Sequence, residues 1–388
     1  MKRICLVLLC IGLFLGRGTI VMAEEDLTPT AKSAILIDYA TGEVLYEKNA
    51  DERLAPASMT KIGSMLLIME AIDSGKLSLN DEVTISEEAA SMGGSQIFLE
   101  AGEVYTVHDL LKGVAIASGN DAVVALAEKL AGSQGAFVDM MNERFKELGA
   151  NNTNFVNAHG LDSEGHYSTA RDMATIAREL LNHEKILEYT SIYEEYLEKN
   201  DGTKTWLVNT NKLVRFYDGV DGLKTGFTET AGYCLTATAK KDDFRLISVV
   251  MGEDSTENRS SDTVKLLNYG FNTYKINTIK TKDEVLGKVR VERGKENFAE
   301  IVLLEDATEL LKNTEDVSNY EFNLKVDTIK APVKPRDIVG SAEIIDNDGN
   351  IIDEVDVTVK KEIKKASLLD YMLRNIQMFA RGKDVLKQ

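Results

Sequence analysis

The sequence predicts a mixed α/β domain, then a small all-β domain, then a C-terminal amphipathic helix. Three observations carry this. Apolar residues recur at three- and four-residue spacing in segments between 57 and 182 and again over 259–272. Alternating or continuous apolar runs of strand type occupy 31–50 and 231–251. After about Tyr274 only short strand-like segments between charged turns remain, until a basic stripe with helical spacing closes the chain.

The first element is a targeting segment. Lys2 and Arg3 precede an almost unbroken apolar run from Ile4 to Leu15, and Val21-Met22-Ala23 precedes the acidic Glu24. This pattern predicts a secretory signal peptide over 1–23, cleaved after Ala23. The alternative is an uncleaved anchor, for which the run is short, since a bilayer span needs about 20 residues. The protein is therefore expected outside the cytoplasm.

The predicted α/β domain spans 24–275. It starts with a hairpin, Ser33–Asp38 and Glu43–Tyr46 across Thr41-Gly42. Residues 57–74 follow as a helix with Ile62, Met65, Leu66, Met69 and Ile72 on one face, and Pro56 stands just before it, where a helix tolerates proline. Further helices are expected over 107–117, 121–131, 135–148, 169–182 and 259–272, with strands over 231–251.

The β domain spans 276–360, with strands at Val285–Val291, Glu300–Leu304, Tyr320–Val326, Ile338–Ile345 and Ile351–Val359. Asp346-Asn347-Asp348-Gly349-Asn350 is a hairpin signal between the last two. The tail, 361–388, reverses the charge of the chain. From Lys360 onward eight Lys and Arg face three acidic residues, a net +5, and Leu369, Met372, Leu373, Ile376, Phe379 and Ala380 recur at helical spacing. Such a helix can lie in a membrane interface; the alternatives are a helix packed on the β domain and one that binds a partner.

A chain of 388 residues can bury the cores of two domains. Its net charge of -18 argues against nucleic acid, because phosphate binding wants clustered Lys and Arg. Beyond the targeting segment only Cys234 remains, so no internal disulfide can form, and Tyr233-Cys234-Leu235 reads as buried strand packing. No Cys/His cluster has metal-ligand spacing, and neither a metal nor an organic cofactor is expected.

Three short motifs carry the chemistry. In Ser58-Met59-Thr60-Lys61 the i, i+3 spacing puts serine and lysine on one helical face. Lys61 can take the Ser58 proton if burial and nearby cations depress its pKa. By itself this motif is more often a surface Ser and Lys. Ser118-Gly119-Asn120 falls between two helices, where a hydroxyl can relay a proton and an amide can hold a carbonyl. Lys224-Thr225-Gly226 offers a charge, a hydroxyl and a residue without a side chain on an edge strand, where an extended peptide can add as a further strand. Together, in this order, they describe acyl transfer through a reactive serine.

On these motifs the chain resembles the D-alanyl-D-alanine carboxypeptidases, the low-molecular-mass penicillin-binding proteins. Met92-Gly93-Gly94-Ser95, Asn157-Ala158-His159-Gly160-Leu161, Thr230-Ala231-Gly232-Tyr233-Cys234 and Arg259 also look like family segments. The resemblance covers about residues 30–360. It implies a serine β-lactamase/penicillin-binding-protein-like catalytic domain with a sheet flanked by helices, a β domain and a membrane-associating helix at the outer face of the cytoplasmic membrane. It implies removal of the terminal D-alanine from peptidoglycan stem pentapeptides, with β-lactams acylating the same serine. Carried over, Ser58 is the nucleophile and Lys61 the base, with Ser118 and Asn120 assisting. Lys224, Thr225 and Arg259 hold the terminal carboxylate, Gly226 admits the peptide, and the N–H groups of Ser58 and Phe227 form the oxyanion hole. His159 is implied to be structural.

The nearest alternative is a class A-like β-lactamase. That enzyme needs a glutamate in Glu-x-x-Leu-Asn, and Glu179-Leu180-Leu181-Asn182 is one residue too short. A D,D-endopeptidase would use the same site. A binding protein without turnover would have no physical need for a lysine beside a serine.

Overall fold

The computed structural model describes residues 26–380 apart from 200, 317 and 318. The expected signal segment and the last eight residues of the tail lie outside the described residues.

Five antiparallel strands form the central sheet, in the order 44–48, 33–38, 244–253, 232–241, 220–228. The predicted hairpin opens it: Asp38 accepts from the Thr41 amide and hydroxyl, and Gly42 turns at φ +79°. Both faces of the sheet are covered, so its strands read as continuous apolar runs. Because side chains alternate along a strand, Ile35 and Ile37 join one core with Ile247 and Val249, while Ala34 and Leu36 join the other with Leu246 and Val250. Helix Thr256–Thr273 closes the second core with Leu266 and Leu267. Each such fully buried side chain contributes about 1.5–3 kcal/mol.

Helix Thr60–Asp73 lies in the first core, against helices Asn120–Ala131, Gln134–Glu147 and Ala170–Leu181. The sequence shows one apolar face, yet this helix is buried nearly all round, Lys61 and Ser64 included. Gly63 permits that depth, since a Cβ there would stand 2.4 Å from the Phe145 ring. The other predicted helices form within one to three residues of expectation, capped by Thr106, Ser133, Thr169 and Ser255. Pattern reading missed the hairpin Glu194–Glu198 with Lys204–Val208, where Leu197 and Leu207 point inward while the neighbouring aromatics Tyr196 and Trp206 face solvent, so no clean apolar/polar alternation marks the strands.

Beyond helix Thr256–Thr273, strands 274–280 and 307–312 pair, and Tyr274, Ile276 and Leu310 pack against the second core. A six-stranded sheet follows, in the order 321–325, 340–345, 351–359, 298–303, 285–292, 328–330. Val289, Val291, Ile301, Leu303, Ile344 and Val357 fill its core, and Ile363 packs there too. Ser367 caps the final helix, Leu368–Ala380, by accepting from the Asp370 amide. Leu368, Leu369, Met372, Leu373 and Ile376 are all at least half exposed. No helix among the described residues is long and apolar enough to cross a membrane.

Candidate active site

Ser58 sits at the start of the central helix, but not in α-helical geometry. Ala57–Met59 is a 3₁₀ turn that runs without a break into Thr60–Asp73. Ala57 sets this turn with a left-handed φ of +47°. Lys61 lies three residues on, in the α-helix that continues this turn, so it shares a face with Ser58.

Lys61 Nζ stands 3.0 Å from Ser58 Oγ, 2.6 Å from Asn120 Oδ1 and 2.7 Å from the His159 carbonyl. The last two atoms can only accept, so they take two N–H bonds. A neutral amine then has its lone pair left for the Ser58 hydroxyl. Burial, then the positive charge of Lys224, holds the Lys61 pKa well below its ordinary value. Both effects favour the neutral base.

Ser118 and Asn120 lie where helix Val107–Ala115 gives way to helix Asn120–Ala131. Ser118 has φ +64°, and its hydroxyl is buried without a protein partner. Asn120 is oriented from both ends: its Nδ2 donates to the Gly93 carbonyl at 2.7 Å and its backbone amide to Ser95 O at 2.7 Å. Asp121, also buried, accepts from the Ile97 and Leu99 amides and fixes that neighbouring segment.

Lys224-Thr225-Gly226 lies on the free edge of the sheet. A Cβ at Gly226 would stand 2.7 Å from the Pro56 carbonyl and 3.2 Å from Ser58 N, so only glycine lets this strand pass the serine so closely. Lys224 is buried, and burial followed by the Arg259 charge lowers its pKa to about 7. Burial likewise lowers that of Arg259, whose Nε has no protein partner. Two cations with spare donor capacity therefore face one place, an arrangement suited to a carboxylate.

These groups border a cleft of about 600 Å³ whose lining includes Ser58, Ser118, Thr225, Gly226, Phe227 and Arg259. Lys61, Asn120 and Lys224 stand behind that lining. The structure thus brings all nine sequence-chosen residues together. Sequence reading missed Thr210, whose hydroxyl accepts from Thr225 at 2.7 Å and lies 3.5 Å from Lys224 Nζ. A threonine in a loop carries no pattern that could reveal it. It also missed Lys212 and Phe216 on the cleft wall. His159 serves Lys61 through its carbonyl, while its ring Nδ1 accepts from the Leu161 amide. Cys234 is buried on the adjacent strand.

The family described as D-alanyl-D-alanine carboxypeptidase matches residues 20–255, and the C-terminal domain of penicillin-binding protein 5 matches 274–365. The chain is 47% identical to the D-alanyl-D-alanine carboxypeptidase DacF of Bacillus subtilis over 99% of its own length and 100% of that protein. It is 36% identical to DacA of Escherichia coli, over 88% and 87% of the two chains. Penicillin-binding protein 5 of Haemophilus influenzae superposes with a TM-score of 0.68 at 32% identity, over 87% of this chain and 98% of that one. Penicillin-binding protein D2 of Listeria monocytogenes in its ampicillin-bound form gives 0.54 at 34% identity, over 62% and 98%.

Proposed function

The chain belongs to the D-alanyl-D-alanine carboxypeptidase family and is a penicillin-binding serine carboxypeptidase, and from that premise we propose how its own residues do the work. Ser58 is the nucleophile and Lys61 its base. The observation that carries this is the three-way setting of Lys61 Nζ, with two carbonyl-type acceptors and the serine hydroxyl around it.

In this reading a peptide ending in D-Ala-D-Ala adds to the free edge of the Val220–Thr228 strand. Lys224, Thr225 and Arg259 bind its terminal carboxylate. Ser58 Oγ attacks the penultimate carbonyl as its proton passes to Lys61. The developing oxyanion receives hydrogen bonds from the N–H groups of Ser58 and Phe227. Ser118 hands its proton to the departing D-alanine nitrogen and takes in its place the proton that Lys61 received, which leaves an acyl-enzyme on Ser58 and Lys61 neutral again. Water then completes hydrolysis. The substrate is the stem pentapeptide of peptidoglycan, and a β-lactam acylates the same oxygen.

The β-lactamase alternative lacks support at Glu179. That carboxylate is tied to Arg144 at 2.5 Å, and Arg144 also pairs with Glu70. It forms no part of the cleft lining.

The domain roles belong to the same proposal. Residues 1–23 export the chain, 24–275 hold the catalytic domain, and 276–360 form the β domain. The expected boundary at 361 moves outward, because Ile363 packs in the β-domain core and the Ala366 amide donates to Arg293 O, so only the part of 361–388 beyond Ala366 rests on the outer face of the cytoplasmic membrane. Exposed Leu368, Leu369, Met372, Leu373 and Ile376 support the last point, together with the basic side chains around them.

The test is turnover. Wild-type protein should release one D-alanine per pentapeptide ending in D-Ala-D-Ala, and Ser58→Ala should release none. Equal release by the two would remove Ser58 from the mechanism.

A further inference from the structure

A buried polar chain ends on the peptide unit just before Ser58. Val156 N–H donates to His166 Nδ1 at 3.0 Å. An acceptor Nδ1 in a neutral ring places the proton on Nε2. Nε2 lies 2.8 Å from Thr60 Oγ1, so it donates there. The Thr60 hydroxyl in turn donates to the Ala57 carbonyl at 2.8 Å. His166 is stacked on Phe155, with ring centroids 4.8 Å apart and an interplanar angle of 15°, so the ring cannot turn freely. Thr60, Ala57 and His166 are all buried.

The end of this chain matters because of the peptide unit it grips. The Ala57 carbonyl and the Ser58 N–H belong to one planar trans peptide and point in opposite directions. Fixing the carbonyl therefore aims the N–H. Ala57 holds an unfavourable left-handed φ of +47°, so this plane needs external support. Two glycines flank it. A Cβ at Gly160 would stand 1.9 Å from Ala57 O, and one at Gly226 would stand 3.2 Å from Ser58 N.

We propose that Thr60 and His166 are positioning residues that aim the Ser58 N–H at the oxyanion. The proposal rests on the assignment of Ser58 as nucleophile. Thr60, the third residue of Ser58-Met59-Thr60-Lys61, thereby gains a role of its own. The chain touches no substrate and needs no net charge. It supplies a rigid direction, which matters more as negative charge develops on the oxygen than in the bound ground state.

The experiment compares Thr60→Val, which keeps shape and loses the hydroxyl, with Thr60→Ser, which keeps the hydroxyl. Benzylpenicillin acylation and hydrolysis of a soluble D-Ala-D-Ala peptide are measured for both, with Tm as a check on folding. Thr60→Val should slow acylation by about tenfold or more, a part of the 10²–10³-fold loss that follows deletion of an oxyanion donor. Its kcat should fall while KM stays near wild type, and Thr60→Ser should recover most of the rate. His166→Phe, which preserves the stacking on Phe155, should resemble Thr60→Val and serves if the valine variant does not fold. Wild-type acylation in either folded variant overturns the proposal, and so does a loss in Thr60→Ser equal to that in Thr60→Val. Wild-type protein that takes no label on Ser58 would instead overturn the nucleophile assignment.

Discussion

Asn120 Oδ1 lies 2.6 Å from Lys61 Nζ, the shortest of that nitrogen's three hydrogen bonds. The amide is neutral, so it orients the amine without stabilising its protonated form as a carboxylate would. Asn120→Asp keeps the shape and adds a negative charge at the same place. An opposite charge this close favours the ammonium form by about one to three pKa units. Acylation near neutral pH should therefore drop, and the acid limb of the acylation pH profile should move up by a similar amount. An unshifted limb would mean that Lys61 is not the group whose deprotonation starts the reaction.

The two lysines should give kcat/KM a bell shape. Lys61 must be neutral to act, and its pKa is depressed by burial and by Lys224. Activity should thus rise with pH as Lys61 loses its proton. Lys224 must be charged to hold a carboxylate, and its pKa is lowered to about 7 by burial and by Arg259. Activity should fall above about pH 7 as that charge disappears. The profile of kcat/KM reports the free enzyme, which is the state described here. In Lys224→Arg, which stays charged, the basic limb should be absent. A basic limb unchanged in that variant would assign it to another group.

Carboxylate recognition separates an exopeptidase from an endopeptidase. Lys224, Thr225 and Arg259 converge on the cleft with a free guanidinium Nε and a hydroxyl pair between Thr225 and Thr210. Amidation of the terminal D-alanine should cut kcat/KM by about 30-fold or more, given about 2–5 kcal/mol for truncating a buried charged pair. Equal cleavage of the acid and the amide would favour the endopeptidase reading.

The tail should bind anionic vesicles through two additive effects. Lysines supply an attraction that salt screens, while Leu368, Leu369, Met372, Leu373 and Ile376 supply apolar burial that salt does not screen. Co-sedimentation should weaken with salt yet persist in part. The control must end after Ala366, because Ile363 pairs with Val333 and packs in the sheet core, and the Ala366 amide donates to Arg293 O. That shortened protein should stay in solution and keep its activity on a soluble peptide. Equal sedimentation of both forms would refute membrane binding by the tail.

How much of this was legible beforehand differs by kind of interaction. The helices with strong periodicity and the 33–48 hairpin could be read because their signal lies within a few neighbouring residues. The 3₁₀ turn at Ser58 could not, since it depends on a left-handed Ala57 wedged between Gly160 and Gly226, each about 100 residues or more away in sequence. The three motifs pointed to Ser58, Lys61, Ser118, Asn120 and Lys224, which the fold gathers at one cleft, because the proposed chemistry constrains residue type at fixed spacing. Thr210 and His166 stayed hidden for the opposite reason. Each acts through a hydrogen bond to a distant partner, Thr225 or Thr60, and a lone threonine or histidine has no local pattern. The all-round burial of the central helix was likewise invisible, because Lys61 and Ser64 look like a polar face until their partners are placed.

The most direct measurement is the mass of the protein after exposure to benzylpenicillin, followed by mapping of the modified peptide. One adduct per chain is expected, on the peptide that holds Ser58. Ser58→Ala should take no label while keeping its Tm, and Lys61→Ala should label roughly 10²–10⁴-fold more slowly, as for a lost general base. A stable adduct on any other residue, or labelling that survives in Ser58→Ala, would contradict the account.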